Sequence, residues 1–223
     1  MEQTAISGPR LAPQSGKTRQ LVIFLHGYGA NGDDLIDIGQ HWGSLLPDTE
    51  FVSPHAPFPC PGAPMGREWF ALSNLNNQEL WQGVNAAAPF LNAFIDAEIQ
   101  RTGLTESEIA LVGFSQGTMM ALHTGLRRSS ALAAIIGFSG RLCLPAEGGK
   151  ELLKEELRSK PPVFLAHGDS DMIVPFISMQ LAKEILESLD IRCQSYVEQN
   201  MGHGISMEAL QEAGKFLKQS FHS

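Results

Sequence analysis

Four short apolar runs set the terms on which this chain can fold. Leu21–Leu25 stops at His26-Gly27, and Ile109–Val112 stops at Gly113. Leu132–Phe138 stops at Ser139-Gly140, and Val163–Ala166 stops at His167-Gly168. Each run is continuous rather than alternating and too short to be a whole helix. Runs like these predict strands buried on both faces, as in a parallel sheet. A further strand is expected at Gln194–Val197. Helical patterns lie between the runs. Leu80, Val84, Ala87, Leu91, Ile95 and Ile99 follow helical spacing through residues 78–102, with Pro89 expected to kink or split that helix. Ser115–Arg127 follows its strand at once. Pro175–Leu189 begins with proline, as first helical turns often do. Met207, Leu210, Gly214, Leu217 and Phe221 mark one face of a last helix. The alternation predicts an α/β fold, with helices on both faces of a mostly parallel central sheet.

The chain's 223 residues suit one α/β domain over 1–223, with its core at about 19–221. The first dozen residues read as a ragged lead-in. At 43% hydrophobic and 18% charged, the composition argues against extended disorder. The net charge of −8, with no long Lys/Arg run, argues against nucleic acid or an anionic membrane as the main partner. Cys60, Cys143 and Cys193 lie far apart, which suits neither a disulfide framework nor a cysteine-based zinc site. The N-terminus lacks a basic start and an apolar stretch of signal-peptide length. No segment approaches the ~18 apolar residues of a membrane-crossing helix. The expectation is a soluble, cytoplasmic protein without stable membrane insertion.

The chemistry concentrates at the ends of the strands. Gly113-Phe114-Ser115-Gln116-Gly117 fits G-x-S-x-G, follows an apolar strand and opens a helix, the context a nucleophile elbow requires. Such a turn lifts Ser115 Oγ above the sheet at a helix N-terminus, where developing negative charge is favoured. Ser139 also follows a strand, but no second glycine or immediate helix accompanies it, so it reads as structural. A serine hydroxyl needs a base, and the base needs an orienting acid. His123 lies two turns into the helix after Ser115 and points away, and His222 lies in the tail. His167, directly after a strand and next to Gly168, suits a turn. His203, between glycines in a loop before the last helix, is the candidate base. Asp169 and Asp171 follow the Val163 strand, at the carboxyl edge where α/β sheets place their sites. Either carboxylate can orient the base, and the other then serves the turn. An oxyanion needs backbone donors. The amide of Gln116 is one, and Gly27, Tyr28 and Gly29 supply amides for the second.

The segment Pro54–Gly66 holds five of the 13 prolines and can wall a site or merely connect elements. Trp69 and Phe70, just after it, are candidates to line the same cleft and bind substrate. Ordinary core packing is the alternative for either ring. No metal-ligand spacing and no nucleotide-binding loop is present, so no cofactor is expected.

Together, Leu25-His26-Gly27-Tyr28-Gly29, the Ser115 elbow, His167-Gly168-Asp169-Ser170-Asp171 with Val174-Pro175, and Gly202-His203 resemble the phospholipase/carboxylesterase family of α/β-hydrolases. That family includes acyl-protein thioesterases and small bacterial carboxylesterases, and the match runs from about Leu21 to Phe221. The resemblance implies Ser115 as nucleophile, His203 as base and Asp171 rather than Asp169 as acid. It also implies the Tyr28 and Gln116 amides as oxyanion hole. Two departures stand out. Ala71 follows Trp69-Phe70 where relatives often carry Asp, and the proline segment differs from the thioesterase version. The expected activity is hydrolysis of small carboxylic esters of short to medium acyl chain, since little chain is left for a lid. Acyl-protein thioesterase or lysophospholipase activity is the alternative within the class. A non-catalytic binding module on the same fold is the alternative outside it. Small enzymes of this family often pair, so a homodimer is an expectation from resemblance alone.

Overall fold

The runs Leu21–Leu25 and Ile109–Val112 are completely shielded from solvent, and their pattern shows why. Leu21, Ile23 and Leu25 enter one apolar cluster, while Val22 and Phe24 enter another on the opposite side. Side chains alternate across a strand, so a continuous apolar run feeds two cores at once. The computed structural model describes residues 5–73 and 76–222.

In chain order the strands are β1 (Arg10–Leu11), β2 (Gln20–Leu25), β3 (Thr49–Val52), β4 (Phe58–Pro59), β5 (Arg67–Glu68), β6 (Ile109–Phe114), β7 (Ala134–Phe138), β8 (Val163–Gly168) and β9 (Cys193–Glu198). The helices are α1 (Ile38–Gly43), α2 (Asn77–Thr102), α3 (Gln116–Gly125), α4 (Gly149–Glu156), α5 (Ile177–Ser188) and α6 (Met207–Ser220). Seven strands form one sheet in the order β1-β3-β2-β6-β7-β8-β9, parallel except for β1. Residues of α2, α3, α4 and α5 pack on one face, and those of α1 and α6 on the other. The expected α/β architecture is therefore the observed one. Among the described residues, no helix is long and apolar enough to cross a membrane.

Two expectations need correction. Pro89 does not split its helix, because α2 runs unbroken from Asn77 to Thr102. Leu80, Val84, Ala87, Leu91 and Ile95 keep one buried face across it, and tertiary packing outweighs the local penalty. The ordered core also begins before residue 19. Ile6 packs against the main cluster, and Arg10 and Leu11 pair with Val52 and Phe51. A two-residue strand is too short to leave a pattern in sequence. The proline segment likewise contains β4, which pairs with β5.

The parallel strands point their carboxyl ends the same way. That edge gathers the loops carrying Tyr28, Ser115, Asp171 and His203, which follow β2, β6, β8 and β9.

Candidate active site

The turn at Ser115 is strained by construction. Its φ of 53° and ψ of −113° lie outside the regions open to most L-residues. Hydrogen bonds hold it there. Ser115 N–H donates to Phe138 O at 2.9 Å, and Thr118 Oγ1 donates to Gly113 O at 2.8 Å. The flanking glycines are sterically required. A Cβ on Gly117 would lie 1.8 Å from Leu25 O, and one on Gly113 would lie 2.4 Å from the Gly117 carbonyl. Strand β2 and helix α3 can approach only because position 117 has no side chain.

His203 comes to the same place from the loop between β9 and α6. Its Nδ1 lies 2.8 Å from Asp171 Oδ2, and its ring tilts against Phe114 at 4.9 Å. Nδ1 donates to the carboxylate, which leaves Nε2 as the basic nitrogen. Among the described residues Ser115 Oγ has no hydrogen-bond partner. Serine and histidine are joined here by one cavity rather than by a formed bond.

Asp171 is held from three sides. Its Oδ1 accepts from Ile173 N at 2.8 Å and Val174 N at 2.9 Å. Burial pushes its carboxyl up, but His203 and those two amides together outweigh burial and hold it below the ordinary carboxylate value. His167 Nε2 donates to Val174 O at 2.8 Å and lies 3.1 Å from Asp171 Oδ2. Position in sequence suggested only a turn for His167; its place against the acid emerges from the fold. Asp169 faces elsewhere. It accepts from Asn200 N at 2.8 Å and from Ser170 Oγ at 2.9 Å. Ser139 is structural in the geometry as well. It is buried, and its Oγ donates to Gly204 O at 3.0 Å, anchoring the loop that carries His203.

A cavity of about 260 Å³ is bordered by Tyr28, Ser115, Gln116 and His203, with Leu72 and Met119 among its apolar walls. Among the described residues, neither the Tyr28 nor the Gln116 backbone N–H has a protein acceptor. A Cβ on Gly27 would lie 3.0 Å from the Phe114 ring and 3.5 Å from Ser115 Cβ, so the Tyr28 loop runs alongside the elbow. Arg67 of β5, just after the proline segment, buttresses that loop. Gly29 N donates to Arg67 O at 3.0 Å, and Arg67 N donates to Ala30 O at 2.6 Å. The Tyr28 hydroxyl lies against Cys60, and that contact, with burial and Glu68, raises it to about 12.

Trp69 and Phe70 do not line the cleft, which corrects the sequence expectation. Trp69 is fully buried, and its indole N–H donates to His26 O at 3.0 Å. Phe70 packs against Gly83 of α2, where a Cβ would lie 2.3 Å from its ring. The Gln116 side chain clamps both, accepting from Trp69 N at 2.9 Å and donating to Phe70 O at 2.7 Å. Their segment does reach the cavity, through Leu72. The cysteines stay out of the site. All three are buried and free, and burial raises the Cys143 and Cys193 thiols to about 12.

His26 beneath the site carries a pH consequence. Its Nδ1 donates to Gly27 O at 2.8 Å, and its Nε2 accepts from Ala56 N at 3.0 Å, so the ring is neutral. Burial lowers its pKa to about 4, and burial lowers buried His123 to about 3. In an unfolded chain both titrate near ~6.5. Between those values the unfolded chain binds more protons, so stability falls as pH falls from about 6.5 to 4. The His26 shift alone is worth on the order of 3 kcal/mol across that window. Urea unfolding at pH 7.5, 5.5 and 4.5 is expected to give falling midpoints, and a flat series would contradict the buried neutral rings.

Comparison with known proteins identifies the family and the fold. Residues 7–221 match the phospholipase/carboxylesterase family. The chain is 30% identical to acyl-protein thioesterase 1 of Gibberella zeae, over 94% of each chain. It is 27% identical to esterase YpfH of Escherichia coli, over 87% of this chain and 80% of that one. The crystal structure of esterase PE8 superposes with a TM-score of 0.92 at 44% identity, covering 97% of this chain and 99% of that one. With the match running nearly end to end, the chain belongs to the phospholipase/carboxylesterase family of α/β-hydrolases.

Proposed function

We propose that this protein is a serine carboxylesterase acting on small esters of short to medium acyl chain through Ser115, His203 and Asp171. One observation carries the reading: His203, held by Asp171 at 2.8 Å, shares a cavity with Ser115 on its strained turn. His203 Nε2 takes the Ser115 proton as Oγ bonds to the ester carbonyl carbon. The carbonyl oxygen becomes an oxyanion facing the unpartnered amides of Tyr28 and Gln116. Collapse of the tetrahedral adduct breaks the bond to the alcohol oxygen, which leaves with the proton from His203. Water then repeats the sequence on the acyl-enzyme, releases the acid and restores Ser115. Asp171 keeps the ring in the required tautomer and stabilises its charged form.

The cavity volume of about 260 Å³ supports the chain-length range, since ligand pockets usually run to ~300–1,000 Å³. A series of p-nitrophenyl esters from acetate to palmitate is expected to give its highest kcat/KM at or below octanoate. An optimum at palmitate would overturn that range. Thioester hydrolysis is the second reading, favoured by the likeness to acyl-protein thioesterase 1. A palmitoyl thioester beside the oxygen esters separates the two.

A further inference from the structure

A second cavity, of about 300 Å³, lies where the loop after β7 meets the start of α4 and one side of α5. Among the described residues its lining includes Arg141, Lys150, Ser178 and Asn77 but no Asp or Glu. The part-buried Arg127 and Arg128 each meet a carboxylate, whereas Arg67 is held by the Ala56 and Pro57 carbonyls. Among the described residues, neither Arg141 nor Lys150 meets a carboxylate. Arg141 Nη2 donates to the neutral Asn77 Oδ1 at 2.7 Å, and its Nε is shielded from water without an acceptor. A half-buried guanidinium so placed has lost hydration without gaining a counter-ion, which an arriving anion would supply.

An apolar track leads from the candidate active site to this cavity. Ile173 borders the Ser115 cavity and is 63% exposed. Ile177 and Leu181 are 54% and 51% exposed. Ile177, Leu181 and Ile185 share one face of α5 at four-residue spacing. Leu181 and Ile185 line the cationic cavity. Along α5 itself, Ile177 to Leu181 spans roughly 6 Å at the helical rise. Isolated exposed side chains need no explanation, but a row running from the rim of the Ser115 cavity toward a half-buried, unneutralised guanidinium does.

We propose that the track and the cationic cavity form an extended subsite for esters carrying a carboxylate at the far end of one arm, half-esters of medium-length dicarboxylic acids being the substrate class. The proposal rests on the esterase reading of Ser115. The methylene arm covers Ile177 and Leu181, and the carboxylate meets Arg141, Lys150 and the Ser178 hydroxyl. The chain's −8 charge repels anions at long range, so the preference is local to this cavity.

The test compares p-nitrophenyl octanoate with the p-nitrophenyl half-ester of suberic acid, which matches it in length and adds one carboxylate. Wild type is expected to favour the half-ester about tenfold in kcat/KM. Arg141→Gln is expected to cut that ratio about tenfold, mainly through KM, and Arg141→Lys to restore part of it. Equal rates on the two esters, or an equal loss on both in Arg141→Gln, would overturn the subsite. Calorimetry of Ser115→Ala with methyl hydrogen suberate against methyl octanoate reads the preference without turnover. Preferential binding there, with neither ester hydrolysed by wild type, keeps the subsite and removes the esterase reading. Turnover without preference does the reverse.

Discussion

Ser115→Ala is expected to lose kcat on p-nitrophenyl butyrate by a factor on the order of 10⁵ to 10⁶. The variant should keep the circular dichroism spectrum and urea midpoint of the parent. Fold and reactivity separate because the turn is held by its neighbours. Ser115 is tied through its backbone N–H to Phe138 O, the glycine at 117 leaves room for the crossing of β2 and α3, and the glycine at 113 leaves room for the first turn of α3. Alanine keeps the backbone bond and removes only Oγ. What remains is the binding cavity and the two amides, which still favour the tetrahedral adduct with water as attacker. Labelling by a fluorophosphonate should vanish in the same variant. Activity within tenfold of wild type would sink the serine assignment. The buried Cys143 and Cys193 thiols, raised to about 12, offer no ready replacement at neutral pH.

The second large effect lies at the acid. Asp171→Asn is expected to lower kcat about 10⁴-fold, whereas Asp169→Asn should stay within a few-fold of wild type. An amide at 171 can turn its NH₂ toward His203 Nδ1. The ring proton then moves to Nε2, and the nitrogen meant to accept from Ser115 becomes a donor. At 169 the role is to accept from Asn200 N and Ser170 Oγ, which an amide oxygen also does. Steady-state kinetics of the two variants decides between them. A larger loss at 169 would reverse the assignment.

Much of this architecture was legible because β2, β6, β7 and β8 are buried on both faces, and burial of that kind writes itself as an unbroken apolar run. The loops bearing Tyr28, Ser115 and Asp171 were legible for a related reason: each begins where such a run ends. What stayed hidden depends on tertiary contacts. Asp169 and Asp171 look alike in sequence, and a hydrogen bond from Asn200, thirty-one residues away, separates them. Trp69 and Phe70 pointed to the right segment but the wrong side chains. The Gln116 side chain pulls their backbone onto the elbow and turns both rings inward, leaving Leu72 to face the cavity. The strands β1 and β3 are two and four residues long, too brief for a period to show.

The loops bearing Asp171 and His203 are laced together beyond the last paired residues of β8 and β9. Asp169 N donates to Glu198 O, Ser170 N donates to Met201 O, and a Cβ on Gly168 would strike Met201 O at 2.2 Å. For protein engineering, this divides the mouth of the site into territories of unequal tolerance. Insertions or loop grafts between 168 and 204 shift both lacing partners together and should be the least forgiving. Among the described residues, the stretch from Arg141 to Gly149 carries no such backbone bonds to the 168–204 pair, although its Leu142, Cys143 and Leu144 are buried in the core. Libraries aimed at new substrates have freer ground at the exposed Ala146 and Glu147 than in the laced loops.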